Sequence, residues 1–363
     1  MSEKFISAER IYLVDTDMDP LSSINRLFCG WVVRDRFGVL NAHSPYRLSD
    51  KADAIPVKFD AYMPLSVILD SVAKKIIANK ERITVSWSGG VDSTAVIVAL
   101  LRNLKDDERS RLTVVCTTSS CEEAPNFYLM MRDMGLNVIV TEDLMGALRV
   151  VEADAITSGW CADQLFGSDI HLSHPGCYGM NWLDALSIIW QRSRGSMLGV
   201  SSLSALEDIY QGYANHLGLK LEKFCEFAWL FNFGCKFSYI QNVIKSQLAG
   251  HKNQGKSIGF FDDELFQRWS ITNFENIRSV DIYQRSQYYK HSLKLYIYEF
   301  TNDEEYYRKK TKKNSWGMSH IPVDRAVIIG EDGEPKIFKR KDGRSDNPAL
   351  AELNQSIRQR YLK

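Results

Sequence analysis

The sequence lacks several features that would assign its class early. No CxxC pair occurs among its seven cysteines (Cys29, Cys116, Cys121, Cys161, Cys177, Cys225 and Cys235). A structural zinc ribbon is therefore not expected. An odd cysteine count in a 363-residue chain also argues against a disulfide framework. Most of the thiols read as small buried hydrophobes of a reduced, cytoplasmic protein. Long apolar runs are missing. The longest plain one, Ala95–Leu101, is far too short to span a bilayer, so no membrane partner is expected. The opening MSEKFISAER has no apolar core of a secretory leader. Excess charge is missing too, since 45 Lys+Arg balance 45 Asp+Glu. That excludes a uniformly basic nucleic-acid binder but not a local basic patch.

What is present is ordinary for a globular chain: 45% hydrophobic and 25% charged residues, enough apolar surface to offset chain entropy. Short strands are expected at Ile11–Asp15 and Gly30–Val33. From Pro64 the pattern becomes helical, with Leu65, Ile68, Leu69, Val72 and Ile76 on one face and the proline suited to a first turn. The period then switches repeatedly. Arg82–Trp87, Arg111–Thr118, Leu136–Thr141 and Ala153–Ser158 read as strands. Ser93–Leu104, Ala124–Met134 and Leu144–Glu152 read as the helices between them. Such alternation of apolar strands and helices predicts an α/β fold, a parallel sheet covered by helices on both faces.

The organisation read from this has four parts: a short N-terminal segment with a few strands (1–63), an ATP-binding α/β domain (64–181), a helical substrate-side domain (182–312), and a C-terminal loop, hairpin and short helix (313–363). The aromatic-rich run Phe224–Tyr239 reads as helical core. AVIIG and KIF flank Asp332–Gly333, a hairpin turn signal.

The residues that carry chemistry follow the first of these strands. Ser88-Gly89-Gly90-Val91-Asp92-Ser93-Thr94 joins a strand to a helix. Helix N-termini offer free backbone N–H groups and a favourable dipole to anions, and two glycines let phosphate oxygens approach the backbone. Ser88, Ser93 and Thr94 add hydroxyls. Asp92, an acid in a phosphate site, makes sense as a ligand to a divalent cation. The string is not GxxxxGK[ST], so a P-loop NTPase is excluded.

This string resembles the SGGxDS signature of the PP-loop ATP pyrophosphatases, whose fold is adenine nucleotide alpha hydrolase-like. A second string, Gly159-Trp160-Cys161-Ala162-Asp163-Gln164-Leu165-Phe166-Gly167, resembles the GEGADELFGG segment of the asparagine synthetase and β-lactam synthetase group. Gly259–Leu265 looks like that group's PFLDxxL segment, and Tyr307–Thr311 like its RxK element. The resemblance implies ATP and Mg2+, with Asp92 and Asp163 sharing the metal. It implies a phosphate site at Ser88, Gly89, Gly90, Asp92, Ser93, Thr94 and Gly159, and a catalytic lysine. Lys310 is the best positional match for that lysine, with Lys309, Lys312 and Lys313 as competitors.

This copy departs from the family. Trp160, Cys161, Gln164 and Ser168 stand where the family has Glu, Gly, Glu and Gly, so Trp160 and Cys161 are candidate pocket residues. The segment before Pro64 is too short for a glutaminase domain. The amine then comes as free ammonia, on a substrate, or from a partner protein.

Three readings stay open at this point. The first is an AMP- and pyrophosphate-forming carbon–nitrogen ligase that adenylates a small-molecule acid. The second is an enzyme that modifies a nucleobase or tRNA, in which Cys121 and Cys161 serve sulfur chemistry. The third is a nucleotide-binding protein without turnover. His171 and His174 follow the second string closely enough to line a pocket. Arg308–Lys313 holds five basic residues in six, and Lys336–Arg344 five more around one acid. The first cluster suits phosphates; the second leaves RNA open as a partner.

Overall fold

The computed structural model describes residues 63–166, 174–194, 200–237, 240–241, 248, 251–274 and 290–310, the strands 325–329 and 335–339, and the single residue Arg36. The expected N-terminal strands, His171, Ser168, Lys312, Lys313, the Asp332–Gly333 turn and the final helix lie outside the described residues. So do most of Lys336–Arg344.

Helix α1 (Leu65–Asn79) buries Leu65, Ile68, Leu69, Val72 and Ile76, the face that the spacing predicts. Next come β1 (Ile83–Trp87), α2 (Val91–Asn103), β2 (Leu112–Cys116), α3 (Thr118–Glu123) and α4 (Pro125–Asp133). After them come β3 (Asn137–Val140), α5 (Leu144–Val150), β4 (Ala155–Ser158) and the one-turn α6 (Ala162–Leu165). The four strands pair in parallel in the order β3-β2-β1-β4. Each of the four strands expected between residues 82 and 158 is present, trimmed by one to three residues. Thr117 and Thr118 leave the second because Thr117 caps α3, its hydroxyl accepting from the Ser120 amide.

The sheet has a buried layer on each face. Along β2, Leu112, Val114 and Cys116 join one hydrophobic cluster with α1 and α2. Val115 joins a second with Ile156 of β4 and Leu148 of α5. This is the period-two alternation of a strand covered on both sides. Helix α2 is nearly all apolar between Ala95 and Leu101, and every one of those residues is buried. Segment 256–258 runs along the outer edge of β4. The Ile156 amide donates to Lys256 O at 2.8 Å, and the Ile258 amide to Ile156 O at 2.8 Å. Asn253 holds that segment, donating to the Leu148 and Val151 carbonyls at 2.7 and 2.8 Å. A strand-like contact thus exists in a region expected to be mainly helical.

The following helices are α7 (Trp182–Arg194), α8 (Val200–His216), α9 (Phe224–Phe231), α10 (Glu264–Thr272), α11 (His291–Thr301) and α12 (Glu304–Lys309). All eight residues of α9 are buried, so the aromatic run is core over that length. Helix α11 packs on α12, where the rings of Tyr298 and Tyr307 stack 5.1 Å apart, and also on the α/β layer. There the Tyr296 hydroxyl donates to Asp70 of α1 at 2.5 Å and the Arg102 guanidinium of α2 lies 4.7 Å from its ring centre. Strands β5 (Arg325–Ile329) and β6 (Pro335–Lys339) pair antiparallel, as the hairpin signal predicts. Among the described residues no helix is long and apolar enough to cross a membrane.

Candidate functional site

Strand order fixes where a site can form. The chain leaves β1 for β2 on one side, and later returns to β4 on the other. The crevice at the carboxyl ends of β1 and β4 is therefore a topological switch point, the usual ligand position in open α/β sheets. Both motif strings begin there, one after Trp87 and one after Ser158.

The turn after β1 depends on glycine. Gly89 has φ +75°, and an added Cβ would sit 2.5 Å from the Ser120 carbonyl oxygen of α3. Gly90 occupies the N-cap of α2 and supplies no side-chain cap, which leaves the first-turn amides without one. The hydroxyls of the string are not equivalent. The Thr94 hydroxyl accepts from Trp87 Nε1 at 3.0 Å and donates to the Gly90 carbonyl at 2.8 Å, fully buried. It braces the turn from beneath, because a threonine in a first helical turn reaches back to the i−4 carbonyl. In this structure the hydroxyl that was expected to face phosphate is thus engaged within the turn. Buried Ser93 also braces, accepting from the Ser88 amide at 3.1 Å and meeting the Ser88 hydroxyl at 3.0 Å. Ser88 is exposed.

The second string approaches the first through Gly159. A Cβ at Gly159 would lie 2.5 Å from both Asp92 Cβ and the Ser93 amide nitrogen. Only a bare Cα lets the end of β4 come this close to α2. Cys161 then adopts φ 67°, the left-handed region that glycine favours, and turns the chain into α6. Its buried thiol lies 3.9 Å from the Phe237 carbonyl, toward the helical core. Of the two expected pocket residues, Cys161 thus turns its thiol toward the helical core, while Trp160 is half-buried. The last carbonyl of α6, Leu165 O, accepts from Ser270 Oγ at 2.5 Å and from Trp229 Nε1 at 3.4 Å. These bonds from α10 and α9 fix the short helix that carries Asp163.

The structure brings Asp92 and Asp163 together. Both carboxylates engage the ammonium of Lys290, Asp163 at 2.6 Å. Lys290 immediately precedes α11, and its side chain is only 4% exposed. Lys310 is placed nearby but on another carboxylate. Its ammonium donates to Glu123 Oε1 at 2.7 Å and to the Glu123 carbonyl at 3.2 Å. Lys294, one turn after Lys290, is buried; loss of hydration, then the Lys310 and Lys290 charges, push its pKa down to about 8. Tyr306 of α12 lies near Thr94 and feels Asp92 and Glu123; burial pushes its hydroxyl far above the usual range.

Sequence reasoning missed Lys290, Lys294 and Glu123. The i, i+4 spacing of the two lysines was visible, but it is also the ordinary spacing of a solvated helix face. Lys309 pairs with Glu305 on the exposed side of α12. Half-buried His174 packs edge-on to Phe224, and burial pulls its pKa down. The PFLDxxL-like segment has structural work: Asp263 caps α10 and pairs with Lys75 of α1 at 2.8 Å.

Among the described residues no group of three or more His, Cys, Asp and Glu is placed to hold a metal ion. Two carboxylates that converge on one cationic centre nevertheless fit a hard divalent ion that takes its other oxygens from phosphate and water. No protein-family model matches the chain, and no curated protein matches its sequence.

Proposed function

We propose that the chain is an ATP-dependent ligase of the PP-loop type, adenylating a small-molecule carboxylate and releasing pyrophosphate. An amine, from ammonia or a second substrate, would then displace AMP to form an amide. The observation that carries this reading is the meeting of Asp92 and Asp163 at one cationic centre beside the Ser88–Gly90 turn. Mg2+ held by those two carboxylates would supply charge neutralisation for the triphosphate. The chain's own residues do the rest. Gly89, Gly90 and the first turn of α2 offer backbone donors to phosphate oxygens. Lys290, Lys294 and Lys310 supply positive charge where negative charge develops. Gly159 and the Leu165 clamp hold the two acids in register.

Incubation with ATP, Mg2+, ammonium and a panel of carboxylic acids should release pyrophosphate and AMP together. Asp92→Asn and Asp163→Asn should each lower that release by about 100-fold, as for loss of one charge-stabilising group. Unchanged release in both variants would reject the reading.

A second reading, base modification with sulfur transfer, draws on one observation. Cys116 and half-buried Cys121 sit with their sulfurs 3.8 Å apart beside the Ser120–Gly89 contact. Loss of activity in Cys121→Ser, with RNA copurifying, would favour it.

A further inference from the structure

The lysine that joins Asp92 to Asp163 stands where a divalent cation would have to stand. We infer that Lys290 is a resident counter-ion, which keeps the acid pair assembled without metal and blocks metal from binding on its own. The inference rests on the nucleotide reading above for the cation's purpose, but its geometry does not.

Three observations carry it. First, the ammonium engages a carboxylate oxygen from each string, with Asp163 at 2.6 Å. A Mg2+ or Mn2+ ion held by the same two oxygens needs bonds of about 2.0–2.2 Å. Two cations cannot share that space, on steric and electrostatic grounds together. Second, the pair is not a loose surface contact. The Lys290 side chain is 4% exposed, Asp92 21% and Asp163 28%. An ammonium so placed is poorly screened by water and salt. Third, Lys290 is fixed from behind. It is the residue before α11, its carbonyl accepts from the Leu293 and Lys294 amides, and α11 is packed on α1 and α2.

The consequence is an order of events. Without metal, two carboxylates in one crevice would repel each other; the ammonium removes that repulsion and holds them in register. Metal alone finds the seat filled. Entry requires an incoming polyanion that takes over the ammonium's charge, so the cation arrives with the phosphates.

The test is a titration of the full chain with Mn2+ alone, without nucleotide, following free Mn2+ by electron paramagnetic resonance. Wild type should bind Mn2+ at this site at least 10-fold more weakly than Lys290→Gln. Mn2+ should raise the melting temperature of Lys290→Gln and leave that of wild type unchanged. Lys290→Arg, which keeps the charge, should behave as wild type. Equal affinity in wild type and Lys290→Gln would overturn the inference, as would no binding in a folded Lys290→Gln. If Lys290→Gln does not fold, wild type decides alone. A Kd for Mn2+ tighter than about 10 μM, lost in Asp163→Asn, overturns the inference; weak binding to the folded wild type supports it. None of these readouts uses turnover. Failure to release pyrophosphate would sink the ligase reading and leave the Lys290 result standing.

Discussion

Gly159 lies against Asp92 so closely that a single added carbon would be 2.5 Å from the Asp92 Cβ. This contact couples the end of β4 to the first turn of α2, and so sets the separation of the two acidic strings. Gly159→Ala should therefore force the two apart. An overpacking cost of about 1–3 kcal/mol is expected, read as a lower urea midpoint with unchanged slope. Any pyrophosphate release should fall more than stability alone explains. A wild-type midpoint in Gly159→Ala would show that the approach is looser than described.

The Lys310–Glu123 pair gives a second expectation. The Lys310 side chain is 7% exposed and the Glu123 side chain 20%. Lys310→Met leaves Glu123 charged and largely shielded, which should cost about 3 kcal/mol. Glu123→Gln should restore part of that loss in the double variant. A double-mutant cycle should give a coupling above about 1 kcal/mol. Strictly additive effects would mean that Lys310 spends its time elsewhere.

Lys294 predicts a pH dependence with a definite sign. Its folded pKa is pushed down to about 8 from the ordinary 10.5, chiefly by burial. Between those values the unfolded chain binds the extra proton, so this group makes stability rise with pH from about 8 to about 10.5. Below that window both states are protonated and the group contributes no slope. Lys294→Met should flatten the rise and should be more stable than wild type at pH 7. Unfolding curves of both proteins at pH 7 and pH 9.5 check the difference.

Cysteine reactivity offers a fourth check. Burial, then the nearby Cys121, push the Cys116 thiol up to about 12, so it stays protonated at pH 8. Thiolate is the reactive form. Limited alkylation with iodoacetamide at pH 8 should label Cys121 at least 10-fold faster than Cys116, as read by peptide mass spectrometry. Equal rates would place Cys116 nearer to solvent than the structure does.

Much of the α/β layer was legible because its signals are local. Apolar strands of four or five residues alternate with helices whose apolar faces repeat at the helical period, and both patterns survive folding. The Gly-Gly turn was legible for the same reason, since Gly89 needs a conformation few other residues adopt. Thr94 shows the limit. Its hydroxyl looked like a phosphate donor, yet helix geometry turns it onto the Gly90 carbonyl. Cys161 shows another limit: position in a string does not say which way a side chain points once the backbone enters the left-handed region.

The sequence by itself determined the parallel sheet, the position of the two motif strings at strand ends, and the identity of the two acids. Only the tertiary structure decided what those acids touch. Lys290, Lys310 and Glu123 lie on separate stretches of chain, and no local rule relates them. Lys290 reaches Asp92 and Asp163 because α11 returns to pack on α1 and α2 and because α6 is clamped by Trp229 and Ser270, whereas Lys310, at the end of α12, meets Glu123 instead. A charge's partner is set by through-space distance and burial, and a linear pattern of residue types does not encode either.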